Sequence, residues 1–206
     1  RIAQWDGSAW SALGTGINGT VFALAVSGST LYAGGGFLSA GGVADTKYIA
    51  QWNGSAWSAL GTGMSGTVNA LAVSGSILYA GGAFTTADGS AANRIAKWSG
   101  SAWSALGSGL DGTVYALAVS GTDLYVGGQF TTAGDSAANY IAKWSGGAWS
   151  ALGSGLNNTV NALAVSGSTL YAGGSFTSAG GTTANRIAQW NGSGWSAPGS
   201  SRNDQR

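Results

Sequence analysis

The chain has 206 residues and contains neither cysteine nor histidine, and all seven of its acidic residues are aspartates. Thiolate and imidazole metal sites, Ser-His-Asp triads and Cys-His nucleophiles are therefore excluded, and we expect no enzymatic activity and no cofactor. Only 7% of the residues are charged and the formal net charge is +1, which excludes the basic surface that nucleic-acid binding requires.

Every tryptophan belongs to a repeat of 46 or 47 residues that runs through almost the whole chain. The tryptophan pairs are Trp5/Trp10, Trp52/Trp57, Trp98/Trp103, Trp144/Trp149 and Trp190/Trp195. A fixed period of this length indicates an array of stacked structural units. We assign a half unit to 1–16, full units to about 17–62, 63–108, 109–154 and 155–198, and a polar tail to 199–206.

Each full unit predicts four strands, a to d, which form two hairpins. In the unit at 109–154 the predicted strands are 114–119, 124–130, 140–144 and 148–152, with a polar loop at 131–139. The turn between a and b reads Ser-Gly-Thr-Asp, and the turn between c and d reads Asp-Gly or Asn-Gly in other units, which favours a two-residue hairpin loop. The half unit contains only the c–d hairpin.

Strand a is apolar on both faces. In the unit at 109–154 one face carries Tyr115, Leu117 and Val119, and the other carries Val114, Ala116 and Ala118, so that one face is large and the other mostly small. Strands of this kind are covered on both sides, as they are when the bulky face of one sheet fits the small face of the next. The sequence therefore predicts an all-β propeller of four-stranded antiparallel blades, with four full blades and an N-terminal half blade. A parallel β-helix is the alternative, although its repeats are usually shorter and lack two hairpins per turn.

Three short motifs carry a resemblance to known repeats. They are Leu-Tyr-Val-Gly-Gly at 124–128, Ile-Ala-Lys-Trp at 141–144 and Trp-Ser-Ala-Leu at 149–152. Together they resemble the kelch-type blade and are similar to the propeller repeats of the fungal cortical cell-polarity marker family and of related bacterial surface proteins. The resemblance implies a propeller, whereas its function stays open because kelch-like propellers include scaffolds, binding modules and enzymes. The copper chemistry of galactose oxidase, a kelch-like enzyme, needs the histidine and cysteine that this chain lacks.

The long b–c loops and the d–a loops are expected to share one face, which is the default ligand face. Its repeated polar residues are Asp45, Asp88, Asn93, Asp135, Asn139 and Asn185. Carboxylate and amide oxygens are suitable Ca²⁺ ligands, but Asp and Asn also form turns through bonds to their own backbone. We favour the turn interpretation, because no Asp-x-Asp-x-Asp spacing occurs, and we predict no metal site.

The tryptophans have two interpretations, core packing and sugar stacking. A buried tryptophan removes roughly 150–250 Å² from water, and a chain with few large aliphatic residues needs that area for its core. We therefore assign most tryptophans to the core and expect an exposed exception in the series that begins with Trp10. The assigned core residues are Trp5, Trp52, Trp98, Trp144 and Trp190 of strand c and Trp57, Trp103 and Trp149 of strand d.

These observations predict a non-catalytic propeller, extracellular or at the cell surface, that acts as a structural and interaction scaffold for a protein or glycan ligand. The alternative is a multivalent carbohydrate-binding propeller. No apolar run is long enough for a membrane span. Five c–d hairpins but only four a–b hairpins are present, so unpaired strand edges are expected. We therefore predict a homo-oligomer or filament in which the hairpin at 2–13 contacts repeat strands of another copy.

Overall fold

A computed structural model describes residues 2–198, and the predicted tail at 199–206 lies outside this range. Within residues 2–198 the regular structure consists of strands, and no helix there is long and apolar enough to cross a membrane. The chain begins with a separate two-stranded hairpin, β1 (Ala3–Trp5) and β2 (Trp10–Ala12). Four four-stranded sheets follow, which we number as blades 1 to 4.

The blades share one topology, an antiparallel meander in which neighbours in sequence are neighbours in the sheet. Blade 1 consists of β3 (Thr20–Ser27), β4 (Thr30–Gly36), β5 (Ile49–Trp52) and β6 (Trp57–Ser58). Blade 2 consists of β7 (Val68–Ser74), β8 (Ile77–Gly82), β11 (Ile95–Trp98) and β12 (Trp103–Ala105), with a ribbon of β9 (Thr86–Ala87) and β10 (Ser90–Ala91) in its b–c loop.

Blades 3 and 4 repeat this plan. Blade 3 consists of β13 (Thr113–Ser120), β14 (Asp123–Gln129), β17 (Ile141–Ser145) and β18 (Ala148–Ala151), with the ribbon β15 (Thr132–Ala133) and β16 (Ser136–Ala137). Blade 4 consists of β19 (Val160–Ser166), β20 (Thr169–Gly174), β23 (Ile187–Trp190) and β24 (Trp195–Ser196), with the ribbon β21 (Ser178–Ala179) and β22 (Thr182–Thr183). The four predicted strands per unit are thus present, within one or two residues of their expected bounds.

The blades stack in chain order, each touching the next through strand a. One face of a blade presents small residues of strand a, and it packs against the larger residues of the following blade. Between blades 2 and 3, for example, Ala72, Tyr79 and Ile95 contact a cluster that contains Val114 and Leu117. The molecule is therefore an array of stacked blades whose core lies between the sheets, and the predicted propeller architecture is confirmed.

A glycine in strand b makes this close stacking possible. A Cβ atom on Gly34, Gly81 or Gly127 would lie 2.5, 2.4 or 2.5 Å from a valine Cγ1 of the following blade. Real side chains do not tolerate such contacts, so a larger residue would push the blades apart. The first glycine of the repeated Gly-Gly motif is thus explained by the distance between blades. A Cβ atom on the second glycine would meet the backbone of strand a in its own blade.

Candidate functional site: the two ends of the blade array

The four blades do not close on each other, and each end of the array exposes apolar residues. At the N-terminal end, Leu24 is 53% and Val26 is 63% exposed. Their equivalents in blade 2, Leu71 and Val73, pack instead against blade 1. Leu24 and Val26 lack this cover because, within residues 2–198, the chain before blade 1 forms the hairpin β1–β2 and no strands a and b. We call Val21, Leu24, Val26 and the neighbouring edge of β1 the N-terminal end face.

At the C-terminal end, the small face of blade 4 is exposed. Ala162 and Ala164 are exposed, and Ile187 is 50% exposed, whereas the equivalent Ile141 is fully buried. A Cβ atom added to Gly173 would lie 3.9 Å from its nearest neighbours, which belong to blade 4 itself. Within residues 2–198, no residue of another blade packs against this glycine. We call Ala162, Ala164, Tyr171, Gly173 and Ile187 the C-terminal end face. The two end faces are the uncovered halves of the same kind of interface that forms between blades 1 and 2, 2 and 3, and 3 and 4.

A cavity lies at each end face. The larger, of about 370 Å³, is lined by Ile2, Ala3 and residues 21–24 of strand β3. The other, of about 210 Å³, is lined mainly by small and apolar residues of β19 and β20 together with Ile187. Both cavities lie where an adjoining blade would fill the space.

The indole groups of strand d link successive units. Trp57, Trp103, Trp149 and Trp195 donate from Nε1 to the carbonyl oxygens of Leu13, Leu60, Leu106 and Leu152, at 2.8 to 2.9 Å. Each accepting leucine belongs to the preceding unit, so each bond crosses from one unit to the next. Trp10 is the fifth member of the series and is 70% exposed.

The strand c tryptophans form tilted pairs with those of strand d, with ring centroids 5.1 to 5.6 Å apart. Trp52 and Trp98 are buried, whereas Trp144 and Trp190 are half-buried. Trp5 differs from the core assignment made from the sequence, since it is 52% exposed. The physical reason is that strands a and b, which cover the outer hairpin in the other blades, are absent from its unit within residues 2–198.

The predicted polar ligand residues are distributed over four different blades. Asp88 accepts a hydrogen bond from the Thr62 amide at 2.8 Å. Asn93 and Asn139 donate to the carbonyl oxygens of Ser108 and Ser154, at 2.9 and 3.1 Å. Asp45, Asp135 and Asn185 are exposed. Three of the six thus hold loops together, and within residues 2–198 no three acidic side chains lie close enough together to bind a metal ion.

The sequence analysis missed a more regular polar position, in the loop that enters each blade. Asn18, Ser65, Asp111 and Asn157 each accept two backbone amide hydrogen bonds from the b–c loop of the same blade, at 2.8 to 3.0 Å. Burial alone would raise the pKa of Asp111, but the bonds from Thr132 and Thr131 outweigh it and lower that pKa. Spacing by one period was the available signal, but the change of residue type from blade to blade obscured it.

The position at which tyrosine and arginine alternate from blade to blade has an unusual backbone. Tyr48, Arg94, Tyr140 and Arg186, which are equivalent in the four blades, have φ between 63° and 69°. The left-handed region is uncommon for residues other than glycine. In blade 2, the Arg94 amide donates to the Phe84 carbonyl at 2.9 Å, and its own carbonyl accepts from Gly82 at 2.9 Å. These bonds fix the sharp bend by which the chain enters strand c.

The family of the chain follows from a comparison with known protein families. The family model described as the Rax2 C-terminal beta propeller domain matches residues 8–156. This chain belongs to that family. The match begins in the N-terminal hairpin and runs through blades 1 to 3, so the stacked sheets described above are those of a Rax2-type propeller.

Two solved structures share the fold of this Rax2-type propeller. The computationally designed Ika4 protein has a TM-score of 0.56 and 21% identity, over 87% of this chain and 95% of its own. The computationally designed Ika8 protein has a TM-score of 0.53 and 21% identity, over 82% of this chain and 45% of its own. At this identity the likeness concerns the fold alone. Among curated proteins, no match is found.

Proposed function

We propose that this propeller is a non-catalytic interaction scaffold at an outer cell surface, and that it assembles end to end with further copies of itself. The observation that supports the proposal is the pair of exposed end faces. One end of the array presents large apolar side chains, and the other presents a surface of alanine and glycine. Monomeric proteins rarely expose contiguous apolar surface of this kind without an interaction role.

The two end faces are complementary because the chain already contains three examples of their contact. Tyr125 and Ala118 of blade 3 pack against Leu163 and Val165 of blade 4. Tyr171 and Ala164 are the equivalent residues of blade 4, and within residues 2–198 no further blade packs against them. In a second copy, Leu24 and Val26 of blade 1 supply the missing partners. An end-to-end contact of this kind is heterologous, so it leads to a ring if the rotation closes and to a filament if it does not.

The composition supports a scaffold rather than an enzyme. The chain has no histidine, cysteine or glutamate, which removes the commonest general bases and nucleophiles. Its surface is rich in Ser, Thr, Gly and Asn and has little charge, which favours a location outside the cytosol. Membership of the Rax2 propeller family supports the same assignment.

The test is the mass in solution of the intact chain and of two matched variants. Leu24→Asp places a charge on the N-terminal end face, whereas Leu38→Asp changes a leucine with similar exposure, 58%, on a loop. We expect the wild type and Leu38→Asp to have a mass that is a multiple of 20.2 kDa, and Leu24→Asp to be monomeric at micromolar concentration. Association of all three proteins, or of none of them, would contradict the proposal.

Carbohydrate binding is a second candidate function. A cavity of about 210 Å³ beside blade 3 is lined by Trp144, Trp149, Asp135 and Ser136, which combines aromatic rings with polar groups. Sugars bind to such combinations by stacking and hydrogen bonding. Binding on a glycan array that Asp135→Ala and Trp144→Ala both abolish would favour this function. Absence of binding to any glycan would exclude it.

A further inference from the structure

The first and last outer hairpins of the chain are almost the same peptide. Strand c reads Ile-Ala-Gln-Trp at 2–5 and again at 187–190, and the two hairpins at 2–13 and 187–198 differ at only three positions. These differences are Asp6 against Asn191, Ala9 against Gly194 and Leu13 against Pro198. A strand b that can pair with strand c of one hairpin can therefore pair in the same way with strand c of the other.

The N-terminal hairpin has a free strand edge. Within residues 2–198, β1 pairs only with β2, whereas β5, β11, β17 and β23 each pair on their other side with a strand b. The space beside β1 is the 370 Å³ cavity lined by Ile2, Ala3 and residues 21–24. Ile2 packs against the cluster of blade 1, as Ile49 packs against that of blade 2. The hairpin therefore already occupies the position of an outer half blade, and within residues 2–198 no a–b hairpin is paired with it.

We propose that β19–β20 of a second copy docks in this gap and exchanges its own outer hairpin, β23–β24, for β1–β2 of the first copy. The inference rests on the proposed end-to-end association and specifies its mechanism. In the undisturbed blade 4, Gly173 pairs with Ile187, Ala172 with Ala188 and Leu170 with Trp190. After exchange, Ile2, Ala3 and Trp5 take these places in the same antiparallel register, because the four residues of the strand are identical.

The exchange gives cover to the exposed tryptophans. In blade 4, Trp195 donates to the Leu152 carbonyl at 2.8 Å, and a Cβ atom on Gly153 would lie 3.4 Å from the ring of Trp190. Trp10 takes the place of Trp195, and Trp5 that of Trp190, so two rings that are exposed in the single chain become buried. The two displaced rings of the second copy become exposed in return, so the tryptophans contribute little to the net change.

The net gain is the contact between the end faces. Leu24 and Val26 of the first copy cover Ala162, Ala164 and Tyr171 of the second, as the corresponding residues do between blades 3 and 4. Burial of apolar surface favours association in proportion to the area removed from water. Because one outer hairpin replaces a nearly identical one, this interface is added without loss of a blade.

Docking without exchange is sterically excluded if the end faces are to meet. The hairpin β1–β2 occupies the outer position of the unit before blade 1, and β23–β24 occupies the outer position of blade 4. When blade 4 of one copy becomes the unit before blade 1 of the next, both hairpins require the same place. The two hairpins differ at the residue that follows strand d, which is Leu13 in one and Pro198 in the other. The equivalent leucines at 60, 106 and 152 are buried between successive blades. Leu13 therefore favours the N-terminal hairpin in this competition.

The test compares the same substitution at two equivalent residues of the full-length chain. Ala3 is exposed, whereas Ala188 is fully buried in blade 4. Ala3→Arg leaves the single chain intact but blocks the pairing of β1 with a second copy, so we expect a monomer at micromolar concentration. Ala188→Arg releases the outer hairpin of blade 4, so we expect association at a concentration at least tenfold lower than for the wild type. The double variant is expected to be monomeric, which separates exchange from unspecific aggregation.

The outcomes distinguish the mechanism from the proposed function. If the wild type associates and Ala3→Arg associates equally well, exchange is overturned but end-to-end association is not. If the wild type is monomeric and Ala188→Arg associates in a manner that Ala3→Arg abolishes, exchange is supported, whereas association of the native chain is overturned. Monomeric behaviour of both the wild type and Ala188→Arg overturns both. Aggregation of Ala188→Arg that persists in the double variant overturns exchange, and the mass of the wild type then decides the end-to-end association.

Discussion

The tetrapeptide Ile-Ala-Gln-Trp occurs at 2–5, 49–52 and 187–190, and its three copies have different environments. In blade 1, Ile49 and Ala50 are fully buried and Trp52 is buried. In blade 4, the last blade within residues 2–198, Ala188 is buried but Ile187 is half exposed. In the N-terminal hairpin, Ala3 and Trp5 are both exposed, because strands a and b are missing. The comparison teaches that burial in this array depends on the neighbouring units, as expected for a repeat protein.

The largest expected effect comes from a charge in the buried copy of this peptide. Ala50→Asp places a carboxylate in a site with no exposure and no charged partner, and we expect it to lower the free energy of unfolding by about 4 kcal/mol or more. The matched change Ala3→Asp is expected to alter it by no more than about 0.5 kcal/mol. Urea unfolding followed by tryptophan fluorescence at submicromolar concentration measures both. Equal losses in the two variants would contradict the different environments.

A smaller effect is expected from added volume between blades. In Gly127→Ala, the new Cβ lies 2.5 Å from Val160 Cγ1, and the resulting overpacking is expected to cost about 1–3 kcal/mol. Gly173→Ala makes the same change at the C-terminal end face, where the nearest atom is 3.9 Å away. We expect its unfolding midpoint to match that of the wild type, while its association weakens. A destabilised Gly173→Ala monomer would show that this face is already covered.

The indole hydrogen bonds between units give a third comparison. Trp103→Phe removes the donor to the buried Leu60 carbonyl, and an unsatisfied buried acceptor costs about 1–3 kcal/mol. Trp10→Phe removes the indole N–H of a ring that is 70% exposed and makes no such bond within residues 2–198, so no loss is expected in the monomer. Unfolding midpoints in urea again provide the measurement. A similar loss for the two variants would indicate that Trp10 also has a structural partner in the single chain.

The smallest expected effect concerns pH. Hydrogen bonds from Thr131 and Thr132 lower the pKa of Asp111 below that of the unfolded chain. The ionised carboxylate therefore stabilises the fold above its unfolded pKa, and this contribution is lost as the pH falls through the folded pKa. Asp111→Asn, which reproduces the residue found in blades 1 and 4, is expected to keep the stability at pH 7 but to reduce the loss in acid. Unfolding curves between about pH 5 and pH 2 test this, and an unchanged pH dependence would contradict it.

The repeated features of the fold could be predicted from the sequence, because every unit of 46 or 47 residues has the same pattern of apolar and turn residues. The strands, turns and stacking predicted for one blade therefore apply to all of them. The apolar faces of residues such as Leu117 and Ala116 predicted that each sheet is covered on both sides, and the blades are indeed stacked in this way. The excess c–d hairpin predicted unpaired strands at one end.

The environment of the terminal units could not be predicted from the repeat alone. Trp5 and Trp52 have the same neighbours in sequence, yet one is exposed and the other is buried, because burial depends on distant strands that only one of them has. The loop-bonding role of Asn18, Ser65 and Asp111 was missed for a different reason. Each side chain accepts hydrogen bonds from two backbone N–H groups, and the oxygen of asparagine, serine or aspartate can do this equally well.

The most direct test of the account is the mass of the wild-type chain in solution, measured by sedimentation equilibrium over a range of micromolar concentrations. The account predicts self-association, with species whose masses are multiples of 20.2 kDa, because each chain leaves a large apolar face at one end and a small one at the other. A single species of 20.2 kDa at all concentrations would contradict the central claim that the end faces join successive copies.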